Sequence, residues 1–172
     1  MFSVKRLQQG KKLIFIPMFK NFMKLAIIQA NQAKINGEVP VGAVIIDPKN
    51  NIIAKECNRT IELQDPTAHA EILSIREACL NLGSDKLINC SIYVTLEPCA
   101  MCAAAISQAR LSKLYFGLSD PKSGGVENGA RIYQHQQTHH KPEVYSGFHE
   151  EEIATIMKEF FFNLRAGKKK LS

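Results

Sequence analysis

The segments His69-Ala70-Glu71 and Pro98-Cys99-Ala100-Met101-Cys102 contain one imidazole, two thiols and one carboxylate at short spacings. A structural zinc site is normally closed by four protein ligands, whereas a catalytic site uses three and leaves the fourth position for water. Here His69, Cys99 and Cys102 supply three ligands of the kind that zinc prefers, and Glu71 remains as a separate carboxylate. The two segments together therefore predict a hydrolytic metal site.

Prolines near both segments indicate that each lies at the start of a helix. Asp65 can cap free backbone amides and Pro66 suits the first helical position, so the first segment is predicted in or near a first turn. Pro98 is expected to open a second helix in the same way. Cys99 and Cys102 would then share one face near the positive end of that helix, which favours the thiolate form. Two helix starts are predicted to meet over one ion.

The expected chemistry follows from the charges of the ligands. Two thiolates and a neutral imidazole around Zn²⁺ make a nearly neutral centre, which lowers the pKa of bound water from ~15.7 toward ~7. Removal of the proton still benefits from a base, and Glu71 is the candidate. A carboxylate in this position can pass the proton to a ring nitrogen of the substrate and later protonate the leaving amine. The predicted reaction is hydrolytic deamination of a heteroaromatic amidine.

These motifs resemble the H-x-E and P-C-x-x-C pattern of the zinc-dependent cytidine deaminase superfamily. Further segments narrow the resemblance to the bacterial tRNA-specific adenosine deaminases, over residues 22–165. The segments that carry it are residues 38–44, 58–59, 65–72, 93–102 and 116–122. The resemblance implies one zinc ion per subunit, held by His69, Cys99 and Cys102, with Glu71 as the proton shuttle. It also implies a homodimer.

The resemblance further implies that the substrate is an adenosine at the wobble position of tRNA, which becomes inosine with release of ammonia. Asn58 matches the position that touches the target base, and Asp120 and Lys122 match a loop near the RNA. Phe161 and Arg165 lie in the C-terminal helix, which flanks the anticodon loop. Because the base must leave its stack to react, an anticodon loop lowers the unstacking cost by presenting the base partly unpaired.

The last helix departs from the usual pattern of that family, in which several arginines follow paired phenylalanines. Here Phe160-Phe161-Phe162-Asn163-Leu164 precedes a single Arg165, so phosphate binding at this end is predicted to be weaker. Lysines 168–170 could compensate as point charges. Of the three phenylalanines, one or two are expected to pack in the core and at most one to stack on a base.

Apolar patterns along the chain alternate between helix and strand periods. They predict an α/β layered domain, and the resemblance implies a three-layer α/β/α cytidine-deaminase-like fold with a central mixed sheet. A helix is predicted over residues 20–35 and a hairpin over 39–46 and 52–57 with a turn at 47–50. Further strands are predicted over residues 92–96 and 113–117. The segment after residue 121 is expected to be irregular until the last helix.

Length and composition indicate one domain in a reducing compartment. A chain of 172 residues with 45% hydrophobic residues can bury a core, and no stretch approaches the ~20 apolar residues of a membrane span. Five cysteines, an odd number with two assigned to metal, do not suggest a disulfide framework. We therefore expect a cytoplasmic protein with a basic extension over 1–19, a deaminase domain over 20–166, a basic tail over 167–172 and no membrane partner.

The extension itself leaves several interpretations open. Four basic residues precede an apolar run at 13–16, as in a signal or transit peptide, but Pro17 interrupts the run and no small-residue cleavage site follows. Secretion is therefore disfavoured. A disordered extension, a misassigned start at Met18 or Met23, and an organellar presequence all remain open.

Charge is unevenly distributed along the chain, whose net charge is +6. The first 37 residues carry seven lysines and arginines and no acid, and residues 160–172 carry four and no acid. Basic ends around an acidic centre would suit a polyanion such as tRNA, although charged ends also serve solubility alone. Two other functions stay open: a deaminase of a free nucleobase or nucleotide such as guanine or cytosine, and a non-catalytic zinc-stabilised RNA-binding protein.

Overall fold

A computed structural model describes residues 21–169 of the chain. Over this range it contains four α-helices, five β-strands and one short 3-10 helix, Ile132–Gln134. The helices are α1 Phe22–Ile35, α2 Ala70–Leu82, α3 Ala100–Gln108 and α4 Glu150–Lys169. The strands are β1 Gly42–Ile46, β2 Ile52–Cys57, β3 Ser91–Leu96, β4 Lys113–Leu118 and β5 Glu143–Tyr145.

The strands form one mixed sheet in the order β2-β1-β3-β4-β5. The pairs β1–β2 and β1–β3 are antiparallel, and β3–β4 and β4–β5 are parallel. Because β3 and β4 run parallel, their carboxyl ends lie side by side. The segment that follows β3 contains Cys99, so the carboxyl ends of these two strands position the predicted metal site.

Helices cover both faces of the sheet, which confirms the three-layer α/β/α fold. On one face α2 and α3 pack on alternate strand residues such as Ala43, Ile45 and Val94. On the other face α1 and α4 pack on Val44 and Ile46. All five residues of β1 are buried because helices cover this strand on both sides.

A glycine at the start of β1 allows one of these helices to pack closely. A Cβ atom on Gly42 would collide with the backbone carbonyl oxygen of Ala26 in α1. The amide of Gly42 donates to Thr95 Oγ1 at 3.1 Å, so the same residue also ties β1 to β3. Any larger side chain at this position would push α1 away from the sheet.

Most of the predicted elements are confirmed, with shifted ends. The strand at 52–57 agrees fully, and the turn before it is held by Asp47, whose Oδ1 accepts from the amides of Lys49 and Asn51 at 2.8 Å. The helix predicted over 20–35 begins at Phe22 after an Asn21 cap. The strand predicted from residue 39 begins only at Gly42, because Pro40 has no amide to donate and Val41 bonds back to Val39.

The expectation of irregular structure before the last helix is wrong at one place. Residues Glu143–Tyr145 form β5, which pairs parallel with β4 at the edge of the sheet. A three-residue strand is too short to give a period-2 pattern, so the sequence carries no clear signal for it.

The predicted extension over residues 1–19 lies outside the described residues, and α4 continues through the proposed boundary at residue 166 to Lys169. No helix in the described range is long and apolar enough to span a membrane.

Candidate active site

The first metal-binding segment lies at a helix start, but the helix begins later than predicted. α2 starts at Ala70 with His69 as its N-cap, rather than at Pro66. Asp65 instead closes a tight turn, since its Oδ1 accepts from the amide and hydroxyl of Thr67 at 2.8 and 2.7 Å. The backbone amide of Ala70 has no acceptor within its own helix. It donates instead to Asn58 Oδ1 at 2.8 Å.

The second segment shows the same offset. α3 begins at Ala100 with Cys99 as its N-cap, rather than at Pro98. Neither His69 nor Cys99 uses its side chain to cap its own helix. Both side chains are therefore free to turn toward a shared point between the two helix starts.

Three ligand groups meet at that point. His69 Nδ1 lies 3.8 Å from Cys99 Sγ and 3.5 Å from Cys102 Sγ, and the three atoms all lie within 4.8 Å of one another. Within the described residues no other group of three or more His, Cys, Asp or Glu side chains is close enough to hold a metal ion. One nitrogen and two sulfur donors at these separations fit Zn²⁺ with an open position.

The fourth predicted residue, Glu71, is enclosed beside this cluster. Its side chain is only 3% exposed, and its Oε2 atom is buried without a hydrogen-bond partner in the described part of the chain. Burial raises the pKa of Glu71 to about 7. A buried carboxylate oxygen without a protein partner is costly, which indicates that a solvent or substrate group is meant to meet it.

The two thiols differ in their surroundings. Hydrogen bonding to Cys102 and His69 lowers the pKa of Cys99 to about 4, although burial opposes the shift. The thiolate of Cys99 in turn raises the pKa of His69. The pKa of Cys102 is raised by its bond to Cys99 and by burial. A divalent cation bound here would favour the deprotonated form of both thiols.

The ligand cluster opens into a cavity of about 200 Å³. Its walls come from the residues before β1, the residues after β2, the start of α2, the end of β3 with the segment after it, and the loop that follows β4. The lining residues are Val39, Val41, Asn58, Thr60, His69, Glu71, Leu96, Glu97, Cys99, Asp120 and Ser123. Two of the predicted substrate-binding residues, Asn58 and Asp120, thus lie in the same cavity as the metal ligands.

A larger open cleft of about 590 Å³ adjoins this cavity and shares four of its lining residues. The other three predicted substrate-binding residues, Lys122, Phe161 and Arg165, line the cleft. The structure adds Lys158 of α4, which sequence reasoning missed. Its only sequence signal is its position three residues before Phe161, which places both on one face of a helix.

The three consecutive phenylalanines of α4 are less buried than expected. Phe160 is half-buried and packs edge-on against Phe161 with ring centroids 5.3 Å apart. Phe161 is 39% exposed and Phe162 is 67% exposed. Of the three rings, only that of Phe160 is half-buried, whereas one or two were expected to pack in the core.

The part of the cavity wall that contains Thr60 is held by Glu38, which was not predicted to be functional. This carboxylate is 1% exposed and accepts from Thr60 Oγ1 at 2.9 Å and from the amides of Ile61 and Glu62 at 2.8 and 3.0 Å. It thereby holds the turn that follows Asn58.

The sequence profile of the cytidine and deoxycytidylate deaminase zinc-binding region matches residues 18–118. The chain belongs to this family of zinc-binding deaminases. Within it, the chain is 52% identical over 141 residues to the tRNA-specific adenosine deaminase of Agrobacterium fabrum, covering 82% of this chain and 92% of that protein.

Two solved structures are similar as well. One comes from work on A-to-I editing by tRNA:A34 deaminases at the wobble position of transfer RNA. It has a TM-score of 0.77 and 52% identity, covering 78% of this chain and 97% of that one. The other is a guanine deaminase from Bacillus subtilis, with a TM-score of 0.58 and 30% identity. The match covers 81% of this chain and 92% of that one. The similarity to the wobble deaminase is greater in both measures.

Proposed function

We propose that this protein hydrolyses adenosine to inosine at the wobble position of tRNA and releases ammonia. The observation that carries the proposal is the Glu71 carboxylate, which is enclosed beside the three-ligand cluster and has one oxygen without a partner in residues 21–169. Zinc held by His69, Cys99 and Cys102 would supply a Lewis acid that makes water nucleophilic near neutral pH. The proposed role of the remaining residues concerns proton transfer and substrate placement.

Glu71 is suited to move the proton through the whole reaction. Its Oε2 takes a proton from the attacking water and delivers it to the ring nitrogen beside the amino-bearing carbon of the purine. The same carboxyl then takes the remaining proton of that water, which is now on the hydroxyl group of the tetrahedral carbon. It passes this proton to the amino group as the carbon–nitrogen bond breaks and the carbonyl forms, so the products are inosine and ammonia. Burial of the Glu71 side chain raises its pKa, so the carboxyl group holds an accepted proton more readily than an exposed glutamate does.

Asn58 is placed to orient the base. Its side-chain oxygen is engaged by the Ala70 amide, which fixes the rotamer, and its side chain lines the catalytic cavity. The amide nitrogen has no protein acceptor in the described part of the chain. We propose that it donates to the target base.

The open cleft favours a polynucleotide over a free base. A small-molecule deaminase encloses its substrate to exclude water, whereas a tRNA enzyme needs an open path for the flanking nucleotides. No α4 residue lines the small cavity, and the residues of α4 line the open cleft instead. Lys122, Lys158 and Arg165 supply positive charge there and Phe161 supplies an exposed ring, a combination suited to phosphates and unstacked bases.

A non-catalytic zinc site fits the structure less well. Such a site would require a fourth ligand, such as Cys57 or Cys90. Neither belongs to the ligand group among the described residues, and Glu71 remains outside it as well. The open position of the cluster supports catalysis.

The test is nucleoside mass spectrometry after incubation of the full-length, zinc-loaded protein with an arginine tRNA whose anticodon is A-C-G. Free guanine, cytosine and adenosine are incubated in parallel. Inosine is expected at the wobble position, with the free compounds unchanged. Turnover of a free base with no change in the tRNA would overturn the substrate and retain the zinc chemistry.

Glu71→Ala serves as the catalytic control in the same assay. The variant should keep its zinc, because Glu71 is not a ligand, and should lose about 10²–10⁴-fold in kcat. Glu151→Gln changes an exposed glutamate in the first turn of α4 and should match the wild type. Full turnover by Glu71→Ala would contradict the mechanism.

We also propose that the protein acts in the cytoplasm as a homodimer. Symmetric dimers are the commonest soluble assembly, and Leu80, Leu82 and Ile88 expose apolar surface on α2 and the segment after it. Sedimentation equilibrium of the full chain, with Leu80→Lys as the variant, tests the assembly. A monomer at micromolar concentration would contradict it.

A further inference from the structure

A second buried carboxylate lies next to the metal site and has no part in the proposed chemistry. Glu97 immediately precedes Pro98 and Cys99 and is only 2% exposed. No lysine or arginine pairs with it within residues 21–169. Its charge is balanced by hydrogen-bond donors alone, all of them from the segment 119–128, which we call the β4 loop.

The donors surround both carboxylate oxygens. Oε1 accepts from the backbone amides of Val126, Glu127 and Asn128 at 3.2, 2.8 and 2.9 Å. Oε2 accepts from the amide of Asp120 at 3.0 Å and from Asn128 Nδ2 at 2.6 Å. The longer contact from Ser119 Oγ to Oε2 measures 3.4 Å.

The β4 loop also bonds directly to the segment that carries the metal ligand. Gly125 N donates to the carbonyl of Pro98 at 2.8 Å, and Gly124 forms an isolated antiparallel bridge with Cys99. A Cβ on Gly124 would lie 2.5 Å from the carboxyl carbon of Glu97 and 2.5 Å from the carbonyl oxygen of Asp120. There is therefore room for the carboxylate only because residue 124 is glycine.

The same loop forms one wall of the catalytic cavity. Asp120 and Ser123 line the cavity, and Lys122 lines the adjoining cleft. Asp120 is held at two points, since its amide donates to Glu97 and its Oδ1 accepts from the amides of Lys122 and Ser123 at 3.0 and 3.1 Å. Moving the Glu97 carboxylate would thus move the residues that face the substrate.

We propose that Glu97 is a positioning residue: its buried carboxylate holds the β4 loop against Pro98 and Cys99 and so sets Asp120, Lys122 and Ser123 for substrate binding. The identity of the substrate rests on the function proposed above, whereas the hold on the loop does not. Glu97 acts through the loop and transfers no proton.

Glu97→Gln is the direct test. A glutamine keeps the shape but replaces one oxygen with an NH₂ group, and in either orientation that group faces backbone donors. We expect KM for the tRNA anticodon stem-loop to rise about tenfold or more, because buried donors lose their acceptor. We expect kcat to change by less than about threefold and the zinc content to stay at one ion per chain, since Glu71 and the ligands are untouched.

Hydrogen exchange provides a readout that needs no activity. In the wild type the amides of Asp120, Val126, Glu127 and Asn128 should be protected, and in Glu97→Gln they should exchange about tenfold faster or more. The amides of β3 should exchange as in the wild type. If the wild-type protein leaves tRNA unmodified, the proposed function fails, while this measurement still decides whether Glu97 holds the loop.

Glu127→Gln is the matched control in the same loop. Among the residues that the structure describes, its exposed carboxylate accepts only from Ser146 Oγ, at 3.2 Å, so KM and exchange should match the wild type. Gly124→Ala places a methyl group against the Glu97 carboxylate, so it should displace the loop and reproduce the rise in KM. If Glu97→Gln fails to fold, Asn128→Ala removes the side-chain donor that reaches Glu97 Oε2 at 2.6 Å and Ser119 Oγ at 2.9 Å, and it should raise KM in the same direction.

Unchanged KM and unchanged exchange in Glu97→Gln would overturn the proposal. A lower melting temperature with wild-type KM and wild-type exchange in the β4 loop would also overturn it, because Glu97 would then contribute to stability alone.

Discussion

Several single residues at this site serve the fold and the chemistry at once. Asn58 is the clearest case, since its oxygen completes the start of α2 while its side chain lines the catalytic cavity. An asparagine at such a position can either satisfy a backbone group of a turn or contact a substrate. The geometry assigns the oxygen to the helix start and leaves the amide nitrogen for the proposed contact with the base.

Two substitutions at Asn58 should separate these roles. Asn58→Ala removes the acceptor for the Ala70 amide and should lower the free energy of unfolding by about 1 kcal/mol. Asn58→Asp keeps an acceptor at a helix N-terminus, so its melting temperature should stay close to the wild-type value. Both variants should lose inosine formation, because neither carries the amide donor. Activity in Asn58→Asp equal to the wild type would show that the donor has no role.

At the scale of elements, α4 contributes a surface rather than a catalytic group. Ile153 and Ile156 are buried against the sheet, whereas Lys158, Phe161 and Arg165 line the open cleft. Acidic residues 150–152 fill the first turn of the helix, where they favour its positive end. The helix therefore has an anchored beginning and a basic, partly aromatic end.

Lys158 should compensate in part for the missing arginines of this helix. Lys158→Ala is expected to weaken binding of the anticodon stem-loop and to lower the slope of log affinity against log salt by about 0.7–1, which corresponds to one phosphate contact. Fluorescence anisotropy at several salt concentrations measures both. Lys55→Ala, an exposed lysine on β2 outside the cleft, is the control and should leave the slope unchanged. An unaltered slope in Lys158→Ala would remove this residue from the interface.

The β1–β2 turn should make stability depend on pH. Hydrogen bonds from the side chain and backbone of Asn51 lower the pKa of Asp47 below its usual value of 3.8. A carboxyl whose pKa is lower in the folded state stabilises the fold above its unfolded-state pKa, and this contribution is lost as pH falls through the folded-state pKa. The melting temperature of the wild type should therefore exceed that of Asp47→Asn at pH 6, and the difference should shrink toward pH 3. A constant difference across this range would contradict the assignment.

At the scale of the whole molecule, the metal site joins elements that the sheet alone does not connect. His69 occupies the N-cap position of α2, whereas Cys99 and Cys102 lie at the start of α3, 30 and 33 residues after His69 along the chain. An ion bound by all three links two helices of the same layer. Zinc binding and folding should therefore be coupled.

Removal of zinc with a chelator should lower the melting temperature, and added Zn²⁺ should restore it while Mg²⁺ should not, because thiolate ligands select softer cations. At a metal concentration about 1,000 times Kd the linkage amounts to about 4 kcal/mol. Differential scanning fluorimetry with and without chelator provides the measurement.

The melting temperature of Cys102→Ser should be close to that of the metal-free wild type, and the chelator should not change it. Cys79→Ser, outside the ligand group, should behave as the wild type. A chelator effect of equal size in Cys102→Ser would contradict the ligand assignment.

Short-range patterns in the chain were enough to predict the ligand triad, the separate carboxylate and most of the strands. The metal ligands could be found because zinc restricts the residue types and because Cys-x-x-Cys places two thiols at one helix start. Strand β2 agreed fully because its ends are marked by turn residues such as Asp47. The resemblance to tRNA-specific adenosine deaminases supplied the substrate-binding residues, which patterns alone left open.

Only the tertiary structure determines the features that depend on hydrogen-bond partners far away in the sequence. α2 begins at Ala70 rather than at Pro66, because Asn58, just after β2, accepts the hydrogen bond of the Ala70 amide. The role proposed for Glu97 could not be predicted, because its donors lie up to 31 residues later and belong to a loop without a local pattern. A residue's own neighbours in sequence determine its backbone preferences and reactive groups, whereas which distant N–H groups surround a buried carboxylate is determined only when the layers pack.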